Sequence, residues 1–346
     1  MSPASSAATI EEVAAAAGVS RSTVSRVVNG SPAVSPAAVA AVNDAIARLN
    51  YVPNRAARTL ASRTTNAIAL VVPEDPTRFF GDPFFATIVG GIYRRLAETP
   101  YVLNVFLASD DSGEKATAYL RGGNVDGALI VSHHARDGFV ARIADAVPVV
   151  FAGRPTQPEI AQRAHYVDVN NVLGGRLGAG SLIDAGRTRI ATIARPADMP
   201  PGIDRLIGFE AALSDAGLEA AGIAVGDFSE ASGAAAMREL LASGRAIDAV
   251  FAANDLMARG AMSVLSETGR SVPADVAVVG FDDSVIAMQV TPHLTSVRQP
   301  SFEQGELMVE VLLGLIAGES PERVTIVDPE LVVRDSVARK PRAAAS

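Results

Sequence analysis

The stretch TIEEVAAAAGVSRSTVSRVVNG, residues 9–30, predicts two short helices joined by a tight turn. Thr9 followed three residues later by Glu12 is the pattern of a capping box, which starts a helix. Gly18 supplies the left-handed residue that commonly ends a helix, and Ser20 is a good N-cap for the next one. Two helices joined by so short a glycine-containing turn indicate a helix-turn-helix.

We predict helices over Ile10–Ala17 and Arg21–Asn29, and a third that Ser35 caps and Pro36 starts. The third helix carries its apolar residues along one face. Four valines have the spacing of a small core shared by the helix-turn-helix, namely Val13, Val19, Val24 and Val27.

The second helix leaves a polar, basic face outside that core. The N-terminal residues of such a helix point at base edges in the major groove, and Arg21 and Ser22 occupy those places. An arginine there can donate two hydrogen bonds to guanine. Side chains suited to phosphate contacts, which set the register on DNA, are Ser20, Thr23, Ser25 and Asn29.

The stretch LNYVPNRAARTLA, residues 49–61, predicts a short helix that starts at Pro53. A helix of that length is too short to be stable alone, so we expect it to form only against a partner. Leu60 lies near Ala57 on its apolar side and is flanked by arginines, which fits a wedge inserted into a minor-groove step. The predicted DNA-binding residues are Thr9, Ser20, Arg21, Ser22, Thr23, Ser25, Arg26, Asn29, Asn54, Arg55, Ala57 and Leu60.

Residues 9–61 resemble, almost continuously, the head and hinge of the lactose-repressor (LacI/GalR) family of bacterial regulators. The resemblance implies a DNA-binding domain over residues 8–50 and a hinge helix over residues 51–64. It implies a transcriptional repressor that binds a pseudo-palindromic operator on double-stranded DNA as a homodimer, since a two-fold pair of heads reads two half-sites. The alternative is a helical bundle with no role in DNA binding.

Charge and composition limit the function further. Residues 1–64 hold six arginines and three acidic residues, a net charge of +3, whereas the rest of the chain carries −11 of the total of −8. A basic head on an acidic body is expected when only the head meets phosphate. The chain has no cysteine, which excludes disulfides and thiolate metal sites. Neither a membrane-spanning run nor a signal peptide is evident, so we expect a cytoplasmic protein without a membrane partner.

From Ala67 onward, short apolar runs alternate with helical stretches, which indicates parallel sheets covered on both faces. The predicted fold is therefore an all-α helix-turn-helix head followed by an α/β body of two doubly wound lobes, with a cleft at the carboxyl ends of the strands. The predicted strands cover residues 67–73, 102–108, 126–132, 148–153, 165–171, 189–194, 224–228, 249–255 and 276–283.

The body, residues 67–338, resembles the effector-binding core of the same family, which is similar to periplasmic sugar-binding proteins. In that fold the chain crosses between the lobes three times, and we place the crossings near Asp168, near residues 294–296 and near Val324. The implied lobes are an N-terminal one of residues 66–166 and 297–323 and a C-terminal one of residues 167–293 and 326–338.

A sugar site needs planar hydrogen-bonding groups for hydroxyls and an aromatic face for the ring. The resemblance implies that Arg205, Asn254 and Asp282 contact the effector and that Phe228 packs on it. Two of these residues have alternative structural roles: Arg205 could anchor a surface carboxylate, and Phe228 could belong to the core. Asp255 is expected to cap the following helix rather than bind ligand, and Asp283 is expected to be structural.

The stretch EDPTRFFGDPFF, residues 74–85, holds four phenylalanines in a predicted loop that faces the cleft. At least one of them is expected to pack inward at the start of the next helix, while Phe79 and Phe84 are predicted effector-binding residues. Arg154 follows a strand where the family usually has a carboxylate or polar group, and it can act as a donor in its place.

The GDPFF loop (residues 81–85), with AGRP (152–155) and TSVRQP (295–300), resembles the actinobacterial branch of the family that senses cellobiose or related glucosides. We therefore expect a small sugar effector, with β-linked gluco-oligosaccharides first and another di- or oligosaccharide second. A purine or pentose ranks below both.

Other motifs do not lead to a different function. The sequence GGRLGAG, residues 174–180, lacks the frame of a phosphate-binding loop, so its small residues are expected to let this helix pack closely on the sheet. His133 and His134 have no further histidine at metal spacing, so we predict no metal site and no cofactor. Acidic pairs such as Asp282–Asp283 could be imagined in a glycosidase, which leaves a sugar-binding protein or carbohydrate-active enzyme without a regulatory role as the alternative.

A homodimer is expected to form through the body. The predicted helix over residues 88–98 is the first candidate for the interface and the helix over residues 256–265 the second, although both apolar faces could be buried within their own lobes. A sugar can act on the operator complex only through its preference for one arrangement of the lobes.

Overall fold

The structure is a computed structural model that describes residues 8–28, 30–52, 64–109, 112–195 and 198–338. The chain divides into two compact units, a head that ends at Thr65 and a body that begins at Asn66. Among the described residues, no helix is long and apolar enough to cross a membrane.

The head consists of α1 (Ile10–Ala17), α2 (Arg21–Val28) and α3 (Pro36–Leu49). The predicted capping box is confirmed: the Glu12 N–H donates to the Thr9 hydroxyl at 3.3 Å, and the Thr9 N–H donates to the Glu12 carboxylate at 2.7 Å. Gly18 ends α1 in the left-handed region with φ 66°. The fully buried core of the head combines Val13, Val24, Val42 and Ala45. The predicted hinge helix from Pro53 to Ala61 and the predicted contact Asn29 lie outside the described residues.

In the described part of the body, the strands form two sheets of six strands each. All strand pairs in the first sheet are parallel, and their order is β11-β5-β4-β3-β1-β2. The strands of this sheet are β1 (Ala67–Val72), β2 (Val102–Leu107), β3 (Gly127–Ile130), β4 (Val149–Ala152), β5 (His165–Val169) and β11 (Val324–Val327). Its helices are α4 (Pro76–Gly81), α5 (Pro83–Leu96), α6 (Ser112–Arg121), α7 (Phe139–Ala144), α8 (Pro158–Ala161) and α14 (Ser301–Ile316).

The second sheet has the order β12-β10-β9-β8-β6-β7, and only the β10–β12 pair is antiparallel. Its strands are β6 (Ile190–Ala194), β7 (Gly222–Val225), β8 (Ala249–Ala252), β9 (Ala277–Asp282), β10 (Thr295–Arg298) and β12 (Glu330–Val332). Its helices are α9 (Asn171–Asp184), α10 (Pro200–Asp215), α11 (Glu230–Ala242), α12 (Asp255–Glu267) and α13 (Ile286–Gln289). The doubly wound body predicted from the alternating pattern is confirmed.

The chain passes between the sheets after β5, after β10 and after β11, each time at the end of a strand. The crossings lie a few residues after the predicted positions. The whole of β10 belongs to the second sheet and the whole of β11 to the first, so the chain crosses only where each strand ends. Apolar alternation indicates that a strand exists, but it does not indicate which sheet the strand joins. The exact limits of the lobes stay a prediction.

Helix α9 lies close to the sheet, as the small residues of 174–180 predict, since a Cβ added to Gly178 would lie 2.4 Å from the ring of Phe251 on β8. It also lies very close to α10, which the sequence did not predict. A Cβ added to Gly175 would lie 2.1 Å from the carbonyl oxygen of Arg205, and one added to Gly208 would lie 2.0 Å from that of Val172. Only glycine permits this separation between the two backbones. The close packing fixes the position of Arg205, which lies on α10.

Candidate functional site

The polar face of α2 is exposed as predicted. Arg21, Ser22 and Arg26 are solvent-exposed, whereas Thr23 and Ser25 are partly buried. The Ser20 hydroxyl accepts the Thr23 N–H at 3.2 Å and so caps the helix.

The Arg21 guanidinium lies 3.2 Å from the Glu11 carboxylate, and both side chains are more than half exposed. Such an exposed ion pair contributes at most about 1 kcal/mol, so Arg21 is free to exchange Glu11 for a base edge. The predicted contacts Asn54, Arg55, Ala57 and Leu60 lie outside the described residues.

A cleft of about 590 Å³, open to solvent, lies at the carboxyl ends of strands from both sheets. This is the position where ligands of parallel α/β folds bind. Its walls are formed by Arg78, Asp82, Phe84, Ser132, Ala152, Gly153, Asp168, Val169, Asn171, Met199, Pro201, Arg205, Phe228, Asn254, Asp282, Gln299 and Gln304. The structure thus brings together five of the predicted effector-binding residues and leaves Phe79 and Arg154 outside.

Arg205 is the central cation of the cleft, and it is 5 % exposed. It donates to the Asn171 side chain at 2.9 Å, to the carbonyl of Ala253 at 2.6 Å and to the Gln299 side chain at 3.3 Å. Its guanidinium carbon lies 3.5 Å from the centroid of the Phe281 ring. Burial lowers the pKa of Arg205 to about 10, so the side chain remains charged at neutral pH. The alternative of a surface carboxylate anchor is therefore wrong, because the structure buries this group.

Asp282 faces the same space from the end of β9, and its backbone has φ 102°, in the left-handed region. Gln299 donates to its Oδ1 at 2.6 Å. Burial raises the pKa of Asp282 well above its ordinary value; the positive charge of Arg205 opposes the rise and the negative charge of Asp82 adds to it. A carboxyl group accepts hydrogen bonds from hydroxyl groups when it is ionised and can also donate one when it is protonated.

Asn254, not Asp255, caps α12. The Asn254 side chain accepts the Met257 N–H at 2.9 Å and donates to the carbonyl of Phe228 at 3.0 Å. The buried Asp255 instead accepts from both Ser284 and Ser296, so its expected structural role holds but the expected cap was placed one residue late. The Asn254 side chain therefore organises the cleft wall, and its contact with the effector stays a prediction.

Phe228 lies at the cleft but is surrounded by arginines. The guanidinium carbons of Arg195 and Arg78 lie 4.4 Å and 5.1 Å from the centroid of its ring. Cations at this distance are attracted to the face of an aromatic ring. Arg78 follows β1 and Phe228 follows β7, so this contact joins the two lobes across the cleft.

The phenylalanine-rich segment is helical rather than a loop. Arg78 on α4 and Asp82, the N-cap of α5, both lie at the cleft. Phe79 packs against the core of the first lobe, and Phe80 is 79 % exposed. Phe85 is fully buried, as expected for at least one member of this group, and Phe84 lines the cleft.

Arg154 forms a bridge to the other lobe beside the cleft. Its guanidinium lies 3.0 Å and 3.1 Å from the two carboxylate oxygens of Asp204 on α10. Its backbone N–H donates to Asp168 at 3.0 Å. The side chain is thus occupied by an interlobe ion pair, and its donation to an effector stays a prediction.

A second bridge between the lobes is buried. His134 lies between Glu74, 3.0 Å from its Nε2, and Asp198, 2.8 Å from its Nδ1. Burial alone would raise the pKa of Glu74, but hydrogen bonds from His134 and Ser132 and the charge of Arg78 lower it below its ordinary value. His134 therefore joins the two lobes, whereas Nε2 of His133 lies 3.2 Å from the carbonyl oxygen of Arg154 within the first lobe.

Several cleft residues escaped the sequence analysis, chiefly Arg78, Asp82, Asp168, Asn171 and Gln299. Asp168 lies at the end of β5, and Gln299 directly follows β10. Their positions at strand ends could therefore have identified them as candidates for the cleft. Arg78 and Asp82 carried no such signal, because the segment that holds them was interpreted as a loop.

Two family models match this chain. Residues 9–54 match the model of bacterial regulatory proteins of the lacI family. Residues 179–337 match the model of the periplasmic binding protein-like domain.

A full-length relative is the HTH-type transcriptional regulator CelR of Thermobifida fusca, which is 48 % identical and is matched over 95 % of this chain and 98 % of its own length. A solved CelR–cellobiose complex has a TM-score of 0.76 and 44 % identity, over 95 % of this chain and 99 % of that one. A lac repressor dimer bound to operator and the anti-inducer ONPF has a TM-score of 0.84 and 29 % identity, over 96 % and 99 %. With its helix-turn-helix head and two-lobed α/β body, this chain belongs to the LacI family of bacterial regulatory proteins.

Proposed function

We propose that this protein is a transcriptional repressor whose affinity for its operator is controlled by a di- or oligosaccharide, such as cellobiose, bound between the two lobes. The observation that carries the proposal is the cleft itself. It is lined by the buried carboxylates of Asp82 and Asp168, by the buried Arg205 and by the aromatic ring of Phe84. Convergent polar groups beside an aromatic face suit a sugar, because hydroxyls need acceptors and donors while the ring needs an apolar surface.

Cellobiose is the first sugar to test because the solved CelR complex contains it. The CelR chain in that complex is 44 % identical to this protein over 95 % of the present chain. The predicted contacts that line the cleft are Phe84, Arg205, Phe228, Asn254 and Asp282. Repression relieved by the sugar is the proposed direction, with the protein acting in the cytoplasm on its operator.

A homodimer completes the proposal, as in the lac repressor dimer bound to operator. The outer face of α5 leaves Tyr93 68 % exposed, which favours this helix as part of the interface. The apolar residues of α12 are buried in the core of their own lobe, so the second candidate helix has no apolar face left for a partner.

The enzymatic alternative has little support in the geometry. Asp283 is held by Arg298 at 2.7 Å and forms a further ion pair with Arg334, so the Asp282–Asp283 pair does not present two free carboxyls. The acidic pair Asp110–Asp111 lies outside the described residues. The named relatives are regulators, and the proposal includes no catalysis.

A thermal-shift panel of mono- and disaccharides tests the proposal directly. We expect cellobiose to raise the melting temperature of the body, because a ligand at 100 times its Kd stabilises the folded state by about 2.7 kcal/mol. Arg205→Gln should lose the shift, since it removes the cation at the centre of the cleft. Absence of a shift with every sugar of the panel would refute a sugar effector.

A further inference from the structure

His134 of the first lobe is enclosed between two carboxylates that belong to different lobes. Its Nε2 lies 3.0 Å from Glu74, which follows β1, and its Nδ1 lies 2.8 Å from Asp198, which follows β6 of the second sheet. The histidine side chain is 3 % exposed, so water is largely excluded from the ring. At the same place the Ala135 N–H donates to the backbone carbonyl of Asp198 at 3.1 Å. The two lobes are therefore in direct contact through a side chain and through the backbone.

The two carboxylate contacts determine how many protons the ring carries. A carboxylate only accepts hydrogen bonds, whereas a neutral imidazole has one N–H group and one nitrogen without a proton. Nδ1 and Nε2 of His134 can therefore both donate only when the ring is an imidazolium. In the neutral form, one of the nitrogens would direct its lone pair at a carboxylate, and that contact is repulsive.

Both carboxylates remain ionised at neutral pH. Burial alone would raise the pKa of Glu74 and of Asp198. The hydrogen bonds of His134, with the charge of Arg78 in one case and of Arg195 in the other, lower both pKa values below their ordinary range. The other oxygen of Asp198, Oδ1, is buried and has no hydrogen-bond partner among the described residues. Loss of the proton from His134 would thus remove the hydrogen bond that Asp198 receives from the first lobe.

We infer that His134 is a proton-operated latch, in which its imidazolium joins the first lobe to Asp198 of the second and loss of its proton releases the contact. The latch goes beyond the proposed function, because it makes the proton a second effector that acts on the same arrangement of lobes as the sugar. Histidine suits this role, since it is the side chain whose charge ordinarily changes between about pH 5 and about pH 8. The latch holds at the acid end of this range and opens at the alkaline end.

The charged and titratable groups around the latch leave His134 as the group that switches it. These groups are Glu74, Asp137, Asp198, His133, Arg78 and Arg195. Burial lowers the pKa of His133 to about 4, so this neighbour stays neutral across the range. Asp137 accepts the backbone N–H of His134 at 2.6 Å and lies in the same lobe, so its titration does not break the contact with Asp198.

Fluorescence energy transfer between two labels, one on each lobe, measures the arrangement of the lobes without any ligand. Because the chain has no cysteine, Lys115→Cys on α6 and Glu239→Cys on α11 provide unique attachment points, and both side chains are exposed. An excess of unlabelled protein restricts the measurement to distances within one chain. Between about pH 5 and about pH 8 we expect a single transition, in which the ratio of the two arrangements changes about tenfold or more, because a hydrogen bond between charged groups is lost.

Two substitutions should abolish this transition with opposite results. The amide of Asp198→Asn can accept from a protonated ring and, when it is turned, donate to a neutral one, so the transfer efficiency should keep the acid value of the wild type at every pH. His134→Gln offers one donor group to two carboxylates, so the efficiency should keep the alkaline value. The matched control His133→Gln changes the neighbouring buried histidine and should retain the transition.

Failure of the latch and failure of the proposed function give different results. A flat profile in the wild type would overturn the latch. A transition that persists in both Asp198→Asn and His134→Gln would also overturn it, and would indicate other carboxyls whose pKa burial raises, namely Asp82, Asp255 and Asp282. If the transition depends on His134 and Asp198 while operator affinity stays constant across it, the latch is supported and the proposed control of the head by the lobes is contradicted.

Discussion

At the scale of single residues, the family resemblance decided which charged groups of the cleft could be predicted. Arg205 and Asp282 follow from the resemblance of their motifs, and the structure places both in the cleft. Asp82 was missed although it lies two residues from the predicted Phe84, because its segment was interpreted as a loop and not as the start of a helix. Asp75 and Asp82 both cap helices in the structure, but only Asp82 is buried, and this difference depends on packing that the local pattern does not contain.

Arg21 gives the clearest prediction for the DNA-reading face. It lies at the start of α2, is exposed, and makes only a surface ion pair with Glu11. Arg21→Ala should weaken operator binding by roughly 1–3 kcal/mol and relax the preference at one base pair. Binding assays on operator variants measure this, and an equal loss on every DNA sequence would show that Arg21 contacts only the backbone.

The buried His133 gives a prediction for the dependence of stability on pH. Burial lowers its pKa to about 4 from an ordinary value of 6.5, so the unfolded chain takes up a proton before the folded one does. The free energy of unfolding should therefore fall as the pH drops from about 6.5 to about 4, by about 3 kcal/mol in total from this group.

Urea unfolding across this pH range measures the effect. His133→Gln keeps a donor for the carbonyl of Arg154, which lies 3.2 Å from Nε2 in the wild type, and removes the titrating group. The variant should lose this part of the pH dependence, whereas His293→Gln should retain it. Parallel curves for the wild type and His133→Gln would contradict the assignment.

At the scale of secondary structure elements, the pattern of the sequence predicted β1 to β9, but it missed the six-residue helix α4 and the first turn of α5. Helix α4 was interpreted as a loop because Asp, Pro and Gly are typical of turns. In the structure the same residues are caps, and Pro76 and Pro83 occupy the first helical positions, where proline is favoured.

The contact of α9 with α10 gives a prediction at this scale. Gly208→Ala places a methyl group 2.0 Å from the carbonyl oxygen of Val172, so the helices must separate. We expect a loss of about 1–3 kcal/mol in the free energy of unfolding, together with weaker binding of sugar, because Arg205 lies on the displaced helix.

Gly180→Ala is the matched control for this substitution. Gly180 lies on α9 with no atom within 4 Å of an added Cβ, so alanine there should stabilise the helix by about 1 kcal/mol. Equal stability changes in the two variants, measured by denaturant unfolding, would show that the close packing is not required.

At the scale of the whole body, three of the side-chain contacts described above join the lobes beside the cleft. The Arg154–Asp204 pair is half exposed on the arginine side, so it contributes at most about 1 kcal/mol. The His134 bridge is buried, with the histidine 3 % exposed, and is costly to break because it leaves polar groups without partners. The contact of Arg78 with Phe228 lies at the cleft itself. Closure of the lobes therefore depends mainly on groups next to the proposed ligand.

The order of the strands, and with it the exact division into lobes, was outside the reach of the sequence. The apolar runs predicted parallel strands that alternate with helices. They did not predict that β10 and β11, which are separated by α14, belong to different sheets. Such an exchange is set by contacts between distant parts of the chain, for which short periodic patterns carry no signal.

The measurement that tests the account most directly is the affinity of the full-length protein for its operator with and without cellobiose, at one fixed salt concentration. We predict that saturating cellobiose weakens specific binding by about 5- to 150-fold, the usual range of allosteric coupling, and leaves non-specific binding unchanged. A protein that binds cellobiose in its cleft yet keeps the same operator affinity would contradict the claim that the cleft controls the head.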